Sequence, residues 1–594
     1  MSYIFFPSSP YSFLLLVEIW RNVEEMKNIF HSKYGILWIV ILLLAVNYVF
    51  SIFHYRLDLT GEKRFTISNP TKNLLAGLQD KVEIKILLDG EMPSGFRKLA
   101  NSSKDMLSEF KEYAGLNLSY AFERPDRNIA DSMKTYLYDS LKYLGINATN
   151  VKAQTKEGEG EEQRIVFPGA IITYKGRTIG IDFLQGQNFQ DGITSLNNAD
   201  ALLEYKFASA IRKITLDSIP LVGYLIGNGE PLDYRVKDLI DNTLRMNYAF
   251  RIIPIDSVDV LPEIFKVIMV VKPMEKFTDD QKLKLDQYVM HGGKTVWMLD
   301  NLYASLDSLQ RSEGQFIAFD LGLNIEDLLF KYGVRINRDL VQDLQSDKIP
   351  SVIGSVGDKP QIQLLPWPYF PLLRNNNGHP IGKNLDYIKS EFPQSLDTIE
   401  TSGIRKTILL NTSTESRSLS TPAKVEWASI KNEEDLKSFN KSNIPVAVLL
   451  EGRFHSLYAN RLNKEISDKL SNSGSPFRDS NDRENSMVVV SDGDIALNSV
   501  TQQDGPLAMG MNPYTKQQYA NKEFLLNVME YLTDDSGILE ARAKDYSLRL
   551  IDKSAYEGKK LYWQIANILL PILLMMLFVY FFQFIRKRKF GYNV

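Results

Sequence analysis

The sequence predicts an α/β protein. Two membrane helices flank a large extramembrane region, which holds an N-terminal α/β unit and a doubly wound α/β domain. Three observations carry this reading: two uncharged runs bracket the chain, apolar strands alternate with amphipathic helices between them, and Gly, Pro, Asn and Asp fall at the boundaries. The 594 residues suffice for several domains. With 69 basic and 72 acidic side chains, the net charge of −3 argues against a bulk nucleic-acid binder. Cysteine is absent. That excludes a disulfide framework, a thiol nucleophile, a CxxC redox centre and a thiolate-held zinc or iron–sulfur site.

Tyr34 to Tyr55 contains no Asp, Glu, Lys or Arg. A helix rises 1.5 Å per residue, so about 20 residues cross a hydrocarbon core of about 30 Å. Leu561 to Ile585 is a second uncharged run, with Pro571 inside it as a tolerated kink and Tyr562, Trp563 and Tyr580 suited to interfacial belts. Arg586 to Lys589 follow at once and predict a cytoplasmic C-terminus. Two spans then put both termini in the cytoplasm of a bacterium, with the region between them outside the inner membrane. No small-residue cleavage site follows the first run, which therefore reads as an uncleaved signal anchor. Met26-Lys27-Asn28 resembles the start of such an anchor, so that 1–25 reads either as a gene-model extension or as a short amphipathic helix.

The expected order is a cytoplasmic segment (1–33), a membrane helix (34–55), a first periplasmic domain (56–215), a second periplasmic domain (216–535), a stalk (536–560), a membrane helix (561–585) and a basic tail (586–594). In the first domain Pro70 favours a helix start, and Leu74, Leu75 and Leu78 recur at helical spacing. Val82 to Leu88 reads as a strand, Phe96 to Tyr113 as a helix and Leu116 to Phe122 as a second strand. The scale and order resemble a thioredoxin-like unit, here without cysteine chemistry. Residues 155–163 read as an acidic loop. Ile165 to Tyr174 and Thr178 to Ile181 read as strands, and Asn197 to Ile214 as a helix with Phe207 and Ile211 on its apolar stripe.

The second domain starts at Pro220. Leu221 to Ile226, Phe250 to Ile255, Val267 to Val271 and Thr295 to Leu299 read as strands, and a helix is expected near Asp233 to Met246. Thr278 to Val289 reads as a helix with Thr278 as N-cap and Gly292-Gly293 closing it. This alternation implies a doubly wound parallel sheet. Residues 340–440, rich in Pro, Asn, Ser and Thr, read as long loops around short strands. Val446 to Leu450 and Met487 to Ser491 return as strands, and Glu523 to Leu532 as a helix.

Open α/β sheets bind ligands at the carboxyl ends of their strands. Asn228 and Glu230 follow one strand, Asp300 a second, and Asp492 and Asp494 a third. These five are the candidate ligand-binding residues, either as a polar pocket or as a weak divalent-cation site. The competing explanation is that the same positions simply demand turn and cap residues. Gly293-Lys294-Thr295 is not a P-loop, because Tyr288 stands where that motif needs glycine and a helix leads into a strand. The five histidines are scattered without metal-ligand spacing, and no GxSxG elbow occurs. No catalytic residue, metal or cofactor is expected.

Several strings resemble one family. Arg56-Leu57-Asp58-Leu59-Thr60 and Arg64-Phe65-Thr66-Ile67-Ser68 are similar to the segment after the anchor in GldG-type proteins, which are auxiliary components associated with ABC transporters. Leu225 to Glu230, the stretch from Pro273 through Phe277-Thr278 and Gly292-Gly293-Lys294 to Leu299-Asp300, Leu449 to Phe454 with Val490 to Asp494, and Trp563 to Asn567 with Pro571 and the basic tail continue the likeness. Ser491 departs from the small residue, often glycine, of the family pattern. The resemblance implies a non-catalytic membrane-anchored subunit that partners a multi-span permease (GldF-like) and an ATPase (GldA-like) in gliding motility or envelope transport. It also implies a middle domain related to an intraflagellar transport protein and to the class I glutamine amidotransferase-like fold without its catalytic residues, and a periplasmic protein or glycan as bound partner. The rival readings are a stand-alone carbohydrate or metabolite sensor and a membrane-anchored hydrolase with a carboxylate site.

Overall fold

The computed structural model describes residues 66–543, except 128, 155–160, 186–191, 313, 357–358, 428–429, 431 and 463, together with 560–590 and the single positions 41 and 44. The predicted first membrane run lies outside the described residues, apart from Ile41 and Leu44, which are helical. By its contacts the chain divides into Met1–Thr66 and Ile67–Val594. The architecture is mixed α/β.

Helix α1 (Asn69–Ala76) starts where Ser68 accepts a hydrogen bond from the Thr71 backbone and Pro70 occupies the first turn. Strand β1 (Val82–Ile86) alternates, burying Val82, Ile84 and Ile86. Helix α2 (Ser94–Ala114) buries Phe96, Leu99, Leu107 and Phe110. It returns the chain to β2 (Leu118–Phe122), parallel to β1, as a strand–helix–strand crossover requires. Strands β3 (Gly169–Tyr174) and β4 (Arg177–Asp182) complete an antiparallel extension, giving the order β2-β1-β3-β4.

Two expectations in this region are corrected. Ile165 to Tyr174 is not one strand: the chain breaks at Phe167-Pro168, and Glu161–Val166 pairs with Thr149–Gln154 in a separate hairpin. Proline cannot donate to a ladder, so it marks the break. Asn197 to Ile214 is not one helix but two, Gly192–Ala201 and α3 (Leu203–Thr215), with Phe207 and Ile211 fully buried on the latter.

The central sheet comprises β5 (Leu221–Ile226), β6 (Ala249–Pro254), β7 (Val267–Val271), β8 (Lys294–Met298), β9 (Ile404–Asn411), β10 (Pro445–Gly452) and β11 (Asn485–Val490). Their order is β9-β10-β11-β8-β7-β5-β6. From β11 to β6 all neighbours are parallel, while β10 runs antiparallel to both of its neighbours. A parallel sheet needs cover on both faces, which is why these strands read as near-continuous apolar runs. Met269, Val271, Met298 and Val490 pack on one side with Val236, Leu239 and Leu244 and with helix α5 (Asn521–Thr533). Ile268, Val270, Trp297 and Val489 pack on the other with helix α4 (Asp279–Met290) and with Leu328, Leu329 and Tyr332. Thr278 and Gln281 form a reciprocal capping box at the start of α4.

The helix expected over Asp233 to Met246 is instead three short turns, of which Asp238–Leu244 is π-helical. There the Thr243 hydroxyl donates to the Asp238 carbonyl five residues back, 3.0 Å away. Within 340–440 the expected short strands occur, Leu396–Thr398, Ser416–Ser420 and Ala423–Glu426 among them, but the Pro-rich part is corrected. Ser346–Val356 and Lys359–Leu373 form a long antiparallel ribbon, to whose base Ile388–Lys389 adds a short third strand. Pro366 and Pro371 read as breakers, yet they sit opposite Lys348 and Ser346 around a register shift, where a missing donor is tolerated. The base of the ribbon buries Trp367, Tyr369 and Phe370 around Phe392, with ring centroids 5.4–5.8 Å from it.

At the C-terminal end, helix α6 (Lys560–Phe590) carries Pro571 inside it. Its Gln564–Arg588 stretch is long and apolar enough to cross a membrane and none of it is buried, the one such helix among the described residues.

Candidate functional site

The switch in strand order lies between β5 and β7, since the chain leaves β5 for β6 on one side and then returns to β7 on the other. Polar loops emerge there from four carboxyl ends. Strand β7 is wholly buried and delivers Lys272, a non-glycine residue at φ 46°. Holding such a conformation costs about 1–3 kcal/mol. Two ion pairs help to offset it: Lys272 Nζ lies 3.1 Å from Asp300 Oδ2 and 2.5 Å from Asp494 Oδ2.

Two of the three aspartates named from the sequence, Asp300 and Asp494, thus share one ammonium, and the third, Asp492, is linked to them through the Asp494 backbone. Asp300 also accepts from the Gly493 backbone at 2.9 Å, and Asp492 accepts from the Asp494 backbone at 2.7 Å. The second oxygen of Asp492 accepts from the Ser390 hydroxyl and from the Glu391 backbone at 2.9 Å. Asp492 therefore ties the end of β11 to the segment that follows the ribbon. Gly493 is required here, because a Cβ would stand 2.7 Å from that of Lys272.

Burial disfavours the charge on Lys272, but Asp494 and Asp300 outweigh it and hold the ammonium protonated. Burial pushes the Asp494 carboxyl up to about 6, against the pull of Lys272 and with Asp300 and Glu391 adding to the rise. Asp492, fully buried beside Asp494 and Asp300, is raised well above the ordinary range.

A carboxyl with a raised folded-state pKa binds its proton in the native state before it does so unfolded, so its ionised form opposes folding. Acidification from pH 7 to pH 5 is accordingly expected to stabilise the protein relative to Asp494→Asn, whose amide cannot titrate. The gap between the two should shift by on the order of 1 kcal/mol in denaturant titrations at the two pH values. A gap that does not change with pH would show that Asp494 titrates normally.

Asn228 and Glu230 behave differently. Glu230 Oε2 accepts from the Gly227 and Asn228 backbones at 3.0 and 2.7 Å, closing its own loop. The Asn228 side-chain amide donates to Gln281 at 2.9 Å, and its backbone carbonyl accepts from the Met274 and Glu275 backbones. Both are buried, and burial raises the Glu230 carboxyl. Their bonds run to the loop itself, to α4 and to the segment after β7, and none runs to the three aspartates.

Beside the cluster opens a cavity of about 580 Å³, whose lining includes Gly229, Lys272, Asp494, Tyr303, Lys389 and Arg311. Lys389 is buried and pairs with Glu391 at 2.7 Å, while Asn521 brackets its backbone N–H and carbonyl at 2.9 and 2.8 Å. Lys272, Lys389, Ser390 and Asn521 are absent from the residues named from the sequence. Lys272 had a legible signal, as a charge directly after an unbroken apolar strand. The other three come from segments whose return to the sheet no local pattern announces. A shallower depression of about 670 Å³ includes Arg335, Arg338 and Asp397, but its arginines already pair with Asp397, Asp320 and Glu326. Among the described residues no group of three or more His, Asp or Glu is arranged to hold a metal ion. Both oxygens of Asp300 and of Asp492, and Oδ2 of Asp494, are engaged in internal bonds, so the cluster as it stands organises the edge of the sheet.

Residues 220–528, just over half of the chain, match the family model for an ABC-type uncharacterized transport system (ABC_transp_aux). The chain belongs to this family. As an ABC-transport auxiliary protein it has an accessory role in such a system. Residues 61–173 match a domain of unknown function (DUF7088). Among solved structures, the mmIFT52 N-terminal domain is similar at 16% identity and a TM-score of 0.28, over 53% of this auxiliary protein and 98% of that chain, a likeness too remote to carry an argument. No curated protein matches it.

Proposed function

We propose that this auxiliary protein is a non-catalytic, GldG-type subunit anchored by two membrane helices, 34–55 and 561–585, with both termini cytoplasmic. Its periplasmic region, a thioredoxin-like domain (56–215) followed by a glutamine amidotransferase-like one (216–535) without catalytic residues, couples a GldF-like permease and a GldA-like ATPase to gliding motility or envelope transport. The family match over 220–528 is the observation that carries this reading. The strand orders β2-β1-β3-β4 and β6-β5-β7-β8-β11 support the two domain assignments, and the apolar helix at Gln564–Arg588 supports anchoring. ATP hydrolysis then belongs to a partner chain.

The cavity beside Asp300, Asp492 and Asp494 supports a ligand or partner contact at the carboxyl edge of the sheet, with the Asn228–Glu230 loop at its rim. The same cavity favours the alternative of a stand-alone carbohydrate or metabolite sensor.

Affinity purification of the full chain from gently solubilised membranes separates the two. A multi-span permease recovered in near-stoichiometric amount is the expected result. The chain recovered alone across several detergents would overturn the subunit reading, and a ligand-dependent rise in melting temperature would then favour the sensor.

A further inference from the structure

The cavity beside the cluster holds charge that the protein itself leaves unbalanced. Lys272 is one ammonium between two carboxylates, 3.1 Å from Asp300 and 2.5 Å from Asp494. Asp300 is buried and outside the cavity lining, whereas Asp494 belongs to it. Asp300 alone balances the lysine, which leaves a negative charge over on Asp494. Its Oδ2 meets Lys272, and its Oδ1 accepts no hydrogen bond among the described residues. Glu391, on the same lining, gives Oε1 to Lys389 at 2.7 Å, and among the described residues its Oε2 accepts none. The two carboxylates feel each other, since Glu391 adds to the rise of the Asp494 carboxyl.

A charge shielded from water calls for a partner of opposite sign. Sugar hydroxyls could donate to these oxygens but would leave the charge in place, whereas an ammonium brings both donors and charge. The lining also carries an unmatched cation. Arg311 is exposed and makes no ion pair or hydrogen bond among the described residues. Asp307, one turn before it, adds to the field on Arg235, which Asp233 already holds at 2.9 Å. A free guanidinium presents a planar fork that matches a carboxylate.

We infer that this cavity takes a zwitterionic ligand of the amino-acid or short-peptide class, its ammonium on Asp494 and Glu391 and its carboxylate on Arg311. The inference rests on reading the cavity as a ligand contact and names the class of ligand. The volume of about 580 Å³ falls in the range of roughly 300–1,000 Å³ usual for small-ligand sites. Three extended residues span about 10 Å, so trialanine is a suitable probe.

The test is calorimetric titration of the purified full-length protein at pH 7, where an α-ammonium is still largely protonated. Trialanine should bind. N-acetyl-trialanine, which lacks the ammonium, and trialanine amide, which lacks the carboxylate, should each bind at least about tenfold more weakly. Arg311→Ala should erase the difference between trialanine and its amide and keep the difference between trialanine and its N-acetyl form. Because Arg311 is exposed and unpaired, this variant keeps the fold. Equal affinity for the three peptides, or an Arg311→Ala protein that still tells the amide apart, would overturn the inference. Maltotriose, uncharged, separates the two levels. If it binds and trialanine does not, the zwitterion is wrong and the cavity remains a ligand site. If neither binds, the ligand-site reading of the cavity falls with the inference. Recovery of a permease is untouched by any of these outcomes.

Discussion

Lys272→Met is expected to destabilise the central sheet by about 3–5 kcal/mol, because it strips the cation from a buried pair and leaves the charges opposite it uncompensated. Asp300 and Asp494 would lose the ammonium they share, and Asp492 lies one bond further on, through the Asp494 backbone. Methionine keeps much of the apolar stem, so the loss reports charge more than volume. The measurement is chemical denaturation of the purified full-length protein, followed by tryptophan fluorescence. Acid should return part of the loss, since protonation removes the charge that is left without a partner. An unfolding midpoint equal to the wild type would mean that the loops at the edge of the sheet hold themselves without this lysine.

Glu530→Ala is expected to cost about 2–4 kcal/mol, from two buried hydroxyls left without an acceptor. Glu530, on α5, accepts from Tyr205 and Ser209 of α3, both at 2.8 Å, and Lys213 stands 3.8 Å away. One carboxylate thus fastens the helix that covers the N-terminal sheet to the helix that covers the central one. Arg542 stacks over the Tyr205 ring at 4.9 Å and adds a second contact at the same place. Removing the carboxylate should also lower cooperativity, with a broader or split thermal transition. A single sharp transition at the wild-type temperature would show that apolar packing around Phe207 and Ile211 carries the junction alone.

The legible parts of the fold were those in which one short segment decides its own fate. The short apolar string from Val267 to Val271, ended by Pro273, reads as a strand buried on both faces, and Thr278 ahead of Asp279 and Asp280 reads as a helix start. The site was partly legible for the same reason: acidic residues directly after such strands are carried to one edge by topology. What stayed hidden depends on partners distant in sequence. Lys389 and Ser390 are unremarkable in a loop-like stretch until Asp492 and Asn521 fix them. Prolines in the ribbon read as interruptions, because nothing local shows that their missing donors fall at a shifted register. Asn228 and Glu230 were correctly placed at a strand end, but Glu230 Oε2 closes its own loop and the Asn228 amide donates to Gln281, so neither reaches the aspartates.

The long insertion between β8 and β11 bears on how the chain is made. Thr295 pairs with Met487 and Met298 with Val490, so neighbours in the sheet are separated by the whole ribbon-bearing segment. Contacts of such long range are slow to form, because a large loop must close before any pairing rewards it. While the chain is being synthesised, β7 and β8 emerge long before the strand that will cover the free edge of β8. That edge, with Val296 and Met298 unpaired, is an aggregation hazard until residue 490 has been delivered. The last piece of the sheet to arrive is also the piece that brings Asp492 and Asp494, so the cluster around Lys272 can assemble only after the central sheet has closed.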